Sequence, residues 1–256
     1  DHFAELARTV AAAAGAKTGD LALDIASNDG CLLGAFRAAG LEALGVAPAE
    51  NLAKEANAKG LKTECAYWSP ELATHLVKRQ GRAKIITAAN VFAHADNLNE
   101  FMKGVSVALA PDGLFIIECP YVLDFIEKCE FDTAYHEHLS YIAVTPLAIL
   151  VEAHAFEVID IEYFPEIHGG TIRVYCARRG ERTPKPSVKK FLSREKSFGI
   201  KNFEVYERFA RSVSENRETL RALIAELSGQ GKTIWAYGAS AKGNTLMNFF
   251  GLQSRQ

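Results

Sequence analysis

Tyr135-His-Glu-His138 places two imidazoles, a phenol and a carboxylate side by side. Histidine titrates near neutrality, so this cluster offers a general base or acid. On a helix, positions 135 and 138 share a face; on a strand, 135 and 137 do. The stretch reads in two other ways. His136 and His138 form an H-x-H pair that binds metal on a strand, with His168 as third ligand, or the segment is an exposed polar loop without a chemical task.

A second candidate is Asp24-Ile-Ala-Ser-Asn-Asp-Gly30, which follows the apolar run Leu21–Ile25. Small residues let backbone N–H groups approach a ligand, and a carboxylate can hold an ammonium group. Ala26 and Asn28 stand where the first two glycines of a dinucleotide fingerprint would align, and an acidic loop repels a pyrophosphate. That counts against an NAD(P)-linked oxidoreductase. A zwitterionic or cationic cofactor suits the loop better, S-adenosylmethionine being one; an ordinary βα turn is the plain alternative. Asn90, after the apolar run Lys84–Thr87, contacts a ligand or caps a turn. Trp68 covers an adenine face or is a core or surface aromatic, and His75, His94 and His154 read as structural or solvent-facing.

Gly238-Ala-Ser-Ala-Lys-Gly-Asn-Thr245 has its glycines at the spacing of a phosphate loop, but Asn244 occupies the place of the lysine. NTP hydrolysis is therefore not indicated. Backbone N–H groups at a helix start, with Lys242, suit a phosphate group or form a simple βα turn.

The elements that must position these residues follow from periodicity and turn signals. Helical patterns over 1–14, 32–39, 49–59, 71–79, 97–109 and 146–154 alternate with strand-like runs at 21–25, 44–46, 84–87 and 114–117. Glu157–Tyr163 and Thr171–Ala177 then read as an antiparallel pair. The expected fold is α/β, a doubly wound mixed sheet. Thr183-Pro-Lys-Pro186 marks a boundary between a domain over 1–180 and a segment over 181–256. The latter reads as charged helices over 187–228, a strand at Thr233–Tyr237 and a helix start, the first βα unit of a second α/β domain.

Composition agrees with a globular protein: 256 residues, 48% hydrophobic and 23% charged. A net charge of −2 gives no basic surplus for a nucleic-acid partner, and no apolar run reaches the roughly 18 residues of a membrane span. The opening residues lack the order of a secretory signal, and a chain starting at Asp1 reads as a trimmed piece of something longer. Cys31, Cys65, Cys119, Cys129 and Cys176 contain no C-x-x-C pair, which points to reduced thiols in a cytoplasmic protein and to no zinc site within this chain.

Leu23-Asp-Ile-Ala-Ser-Asn-Asp-Gly-Cys-Leu-Leu33 resembles the first motif of S-adenosylmethionine-dependent methyltransferases. With Ala89-Asn-Val-Phe-Ala-His94, Phe131-Asp-Thr-Ala-Tyr-His-Glu-His-Leu-Ser-Tyr141 and Tyr237-Gly-Ala-Ser-Ala-Lys-Gly-Asn-Thr-Leu246, nearly the whole chain resembles the sugar C-methyltransferases that act on nucleotide-linked keto-deoxysugars. The resemblance implies a Rossmann-like methyltransferase that forms an enolate beside a ketone. His138 is then the base, with Tyr135 and Glu137 beside it. Asp24, Ala26, Ser27, Asn28, Gly30, Leu32, Ala47, Ala89 and Asn90 line the cofactor, and Tyr141, His168, Gly169 and Lys242 the sugar-nucleotide. His168-Gly169-Gly170 reads equally well as a tight turn with positive φ. Two departures stand out: the family's N-terminal zinc-binding domain is absent and its C-terminal domain is cut short. Ala47 also replaces the usual ribose-binding carboxylate, a feature that favours a catalytically inactive binding or assembly relative. Oligomeric state is not legible.

Overall fold

A computed structural model describes residues 2–238 and 240–252. After α1 (His2–Ala14) the chain runs β1 (Leu21–Ile25), α2 (Cys31–Ala38), β2 (Glu42–Val46), α3 (Glu50–Ala58), β3 (Thr63–Glu64), α4 (Pro70–Gln80), β4 (Ala83–Ala89), α5 (Leu98–Ala108) and β5 (Leu109–Pro120). It continues through α6 (Val122–Glu127), α7 (Val144–Ala153), β6 (Phe156–Phe164), β7 (Thr171–Arg178), α8 (Pro186–Phe198), α9 (Phe203–Gly229) and α10 (Ala241–Phe250). Local chemistry sets several boundaries. Ser69 accepts from Leu72 N–H at 3.2 Å and Asn97 from Glu100 N–H at 3.1 Å, capping α4 and α5.

Seven strands form one sheet in the order β3-β2-β1-β4-β5-β7-β6. All pairs are parallel except those made by β7, which runs antiparallel to both β5 and β6. The strands are apolar because both faces are covered. Leu23, Ile25, Ile86, Phe115 and Val174 belong to one buried cluster, while Ala22, Ile85, Leu114, Ile116 and Tyr175 belong to the other. The expected mixed doubly wound sheet is therefore present. Strand order reverses between β1 and β4, the switch point at which such sheets bind ligands.

The strand expected at Thr233–Tyr237 is not formed. Residues 232–238 have no regular structure, and Trp235 and Tyr237 lie in solvent at 87% and 107% exposure. Its apolar composition suits a strand, but among the described residues no sheet edge pairs with it, and an isolated strand leaves its backbone groups unpaired. Ala239, in the loop that follows, lies outside the described residues. The helix start beyond is real: the Ser240 side chain caps α10 by accepting Gly243 N–H at 3.1 Å. No helix among the described residues is long and apolar enough to cross a membrane.

Candidate active site

At the carboxyl end of β1 the chain turns sharply into α2. Ala26, Asn28 and Gly30 all take positive φ, at 64°, 49° and 83°. This alternation is what glycines would otherwise supply; an alanine held there is strained, whereas asparagine tolerates the region better. Ser27 packs over Gly45 of β2, and its Oγ is buried without a hydrogen-bond partner among the described residues. The N-cap of α2, Gly30, offers no side-chain bond to the helix's first turn, so that turn still has N–H groups to offer. Leu32 buries its side chain in the core, which leaves only its backbone for a ligand.

Asp24 is buried at the centre of the sheet and accepts from Thr87 Oγ1 at 2.6 Å. Burial pushes its carboxyl up to about 7, against the lowering effect of the Thr87 bond. Asn90, with φ of 55°, sits just past β4 and donates its N–H to Glu118 O at 2.7 Å. Ala89 precedes it in the last register pair of β4 with β5. The open loop, the orphaned Ser27 hydroxyl and a carboxyl ready to ionise fit a cationic, amino-acid-bearing cofactor. The ribose side is bare by comparison: Ala47 is fully buried, spends its N–H on Glu64 O at 3.0 Å and has no polar side-chain atom to offer.

Beside this switch point, around the ends of β4 and β5, lies a cavity of about 240 Å³. Asn90, Tyr135, His138, Tyr141, His168 and Lys242 all line it, although they come from four separate stretches of the chain. Residues 135–138 form neither helix nor strand but a turn, closed by His138 N–H donating to Tyr135 O at 3.0 Å. The turn brings the Tyr135 and His138 rings to 4.4 Å between centroids. It also swings His136 and Glu137 into solvent, so neither lines the cavity.

His138 Nδ1 lies 2.8 Å from Thr133 O. A carbonyl only accepts, so Nδ1 carries a proton, and in the neutral ring the lone pair is on Nε2. That is the tautomer of a general base. His94, which the sequence suggested was structural, stands edge-on to His138 at 5.0 Å and lines the same cavity. Burial, then the neighbouring His138, pull its pKa below the ordinary histidine value, with Glu137 opposing. The shift favours the neutral imidazole. The only sequence signal for it was its place just after β4, in Ala89-Asn-Val-Phe-Ala-His94.

The 168–170 loop is a tight turn that also borders the cavity. His168, Gly169 and Gly170 have φ of 49°, 78° and 144°, a turn with positive φ, and His168 lines the cavity. Gly169 does not line it; a Cβ there would collide with the Glu130 carboxylate. Lys242 arrives because α10 docks on the 3₁₀ turn Phe131–Thr133, with Phe250 stacked on Phe131 at 5.1 Å. Trp68 is a packing residue, its indole donating to Phe101 O at 3.1 Å.

Sheet order and the site at its switch point define a Rossmann-like methyltransferase fold. A SAM-dependent methyltransferase from Clostridium acetobutylicum ATCC 824 shares it with a TM-score of 0.53 at 12% identity, over 70% of this chain and 91% of that one. Magnesium protoporphyrin IX methyltransferase from Synechocystis PCC 6803, solved with bound SAH, gives 0.53 at 12% identity, over 68% and 83% of the two chains. Residues 1–161 match the family described as methyltransferase domain, and residues 166–256 the one described as C-methyltransferase C-terminal domain. The chain belongs to the methyltransferase family. It is also similar to the C-methyltransferase NovU of Streptomyces niveus, with 36% identity over 252 residues, and spans 98% of its own length but only 60% of that relative's.

Proposed function

We propose that this protein is an S-adenosylmethionine-dependent C-methyltransferase whose substrate is a nucleotide-linked 4-keto-deoxysugar. The observation that carries the reading is His138, its Nδ1 oriented by Thr133 O, lining a cavity that Asn90 also lines. Similarity to a C-methyltransferase over nearly the whole chain supports it.

When bound, S-adenosylmethionine supplies an already electrophilic methyl group, so the protein's task is to make and aim a carbon nucleophile. Asp24 and the 26–32 turn hold the amino-acid end, with Ala89 and Asn90 beside it. His138 Nε2 removes a proton from the carbon next to the ketone, and the bonding pair moves toward the ketone oxygen. Tyr135 and neutral His94, both in the cavity, donate to that oxygen as charge develops. Glu137, exposed on the turn, acts on His94 through its charge and its backbone, both of which oppose the lowering of the His94 pKa by burial. Val122, Phe125 and Ile142 give the cavity an apolar wall suited to a deoxygenated sugar. Tyr141 and His168 border the ring, Gly169 lets the His168 loop pass Glu130, and Lys242 meets the phosphates.

The organisation follows the same reading. Residues 1–180 carry cofactor and base, while in the segment beyond them α8, α9 and α10 lead to Lys242 at the sugar site. A cytoplasmic setting accords with five free cysteines. One observation favours a non-catalytic relative instead, the apolar Ala47 on the ribose side. Calorimetric titration with S-adenosylhomocysteine decides between them. Saturable heat at micromolar to sub-millimolar ligand is expected; none at millimolar ligand would leave the non-catalytic reading.

A further inference from the structure

Glu195 is fully buried, and the chemistry above does not use it. It stands on α8, beyond the region matched by the methyltransferase domain family. Its neighbour Arg194 turns to Glu127, at 3.0 Å. A buried carboxylate is costly unless donors fill its oxygens, and three do so here. Oε1 accepts Val144 N–H at 2.6 Å and the Tyr121 hydroxyl at 3.0 Å, and Oε2 accepts Thr145 N–H at 2.7 Å. Glu195 thus caps α7, whose own N-cap residue Ala143 provides no side-chain bond.

What it holds is one wall of the cavity. Tyr121 and Ile142 both line the site and pair as a parallel bridge, with Val122 N–H donating to Ile142 O at 3.1 Å. Tyr141, next in the chain, packs 4.9 Å from Phe125 and edge-on to His138 at 6.5 Å. Burial first, then the Glu195 charge, push the Tyr121 hydroxyl far above the ordinary tyrosine range, so it remains a donor.

We propose that Glu195 is a positioning residue for substrate: from α8 it pins Tyr121 and the first turn of α7, fixing the Tyr121–Ile142 wall of the cavity that His138 lines. The C-terminal segment then shapes the substrate side of the site while leaving the cofactor loop untouched. Only the kinetic consequence rests on the methyl-transfer reading.

Glu195→Gln keeps the side chain's shape, but its NH₂ group faces donors and leaves at least one of them without an acceptor. In hydrogen–deuterium exchange, the segments 121–125 and 141–147 of this variant exchange about tenfold faster than wild type, and β1 and β4 do not change. S-adenosylhomocysteine affinity stays within about twofold, while KM for the nucleotide-linked keto sugar rises about tenfold and kcat falls less than about threefold. Tyr121→Phe removes one donor and keeps both amide bonds; it gives the same pattern at about threefold. Unchanged exchange at 121–125 and 141–147 would overturn the proposal. Faster exchange throughout the chain, or cofactor-product affinity falling in step with KM, would also overturn it by making Glu195 a general stabiliser. A wild-type chain that transfers no methyl would overturn the functional reading alone, because the exchange measurement needs no substrate.

Discussion

Under the proposed function, affinity for a cationic ligand turns on Asp24. Its carboxyl is pushed up to about 7 by burial, with the Thr87 bond opposing, whereas in an unfolded chain it titrates at about 4. Across that window the folded protein keeps a proton that the unfolded chain has released. The stability so gained is fully present below about pH 4 and is lost as pH rises through about 7. An ammonium group favours the ionised form, so affinity for S-adenosylhomocysteine climbs with pH over the same range. Asp24→Asn removes both trends: its melting temperature loses most of the decline between pH 4 and 7, and its affinity at pH 8 falls about tenfold. Calorimetry and thermal melts at several pH values check this. A variant whose binding keeps the wild-type pH dependence would show that the ligand's charge is met elsewhere.

The β1–α2 turn owes its shape to the neighbouring β2. Gly45 pairs in register with Asp24, and a Cβ on it would strike the Ser27 side chain and come within 2.7 Å of Leu33 Cδ1. Gly45→Ala must lift the turn carrying Ala26 and Asn28. It is expected to cost about 1–3 kcal/mol in urea denaturation and to weaken S-adenosylhomocysteine binding; a variant neutral in both would mean that the turn does not depend on β2. At this scale much of the fold was legible, since glycines at 15, 40 and 60 stop helices and the long strands carry apolar runs. β3 and α6, of 2 and 6 residues, are too short to imprint a period. Thr233–Tyr237 shows the converse, strand composition without a ladder. At the cavity, Tyr135, His138 and Lys242 were legible from residue type. His94 was not, because only its contact with a residue distant in sequence sets it apart from a structural histidine.

Across the whole molecule, one buried charge ties the N-terminal helix to the antiparallel end of the sheet. The Arg173 guanidinium is fully buried and meets Glu118 at 2.8 Å, Glu162 at 3.2 Å and Glu5 at 3.2 Å, on β5, β6 and α1. Glu118 also takes His2 Nε2 at 2.6 Å, and the Tyr175 hydroxyl donates to Glu162 at 2.6 Å. No sequence spacing announces such a network. Arg173→Leu strands a carboxylate in the interior and is expected to lower stability by roughly 3–5 kcal/mol, read from denaturant midpoints; a loss below about 1 kcal/mol would show that α1 is held by apolar packing alone. Under the proposed function, a tertiary assembly of sheet, turn and C-terminal helices makes His138 a carbon-acid base. Wash-in of deuterium at the carbon next to the ketone of a nucleotide-linked 4-keto sugar tests it most directly. Wild type should catalyse this exchange, and His138→Asn should slow it by about 10²–10⁴-fold with S-adenosylhomocysteine binding intact. Exchange at the wild-type rate in that variant would place the base elsewhere and contradict the account.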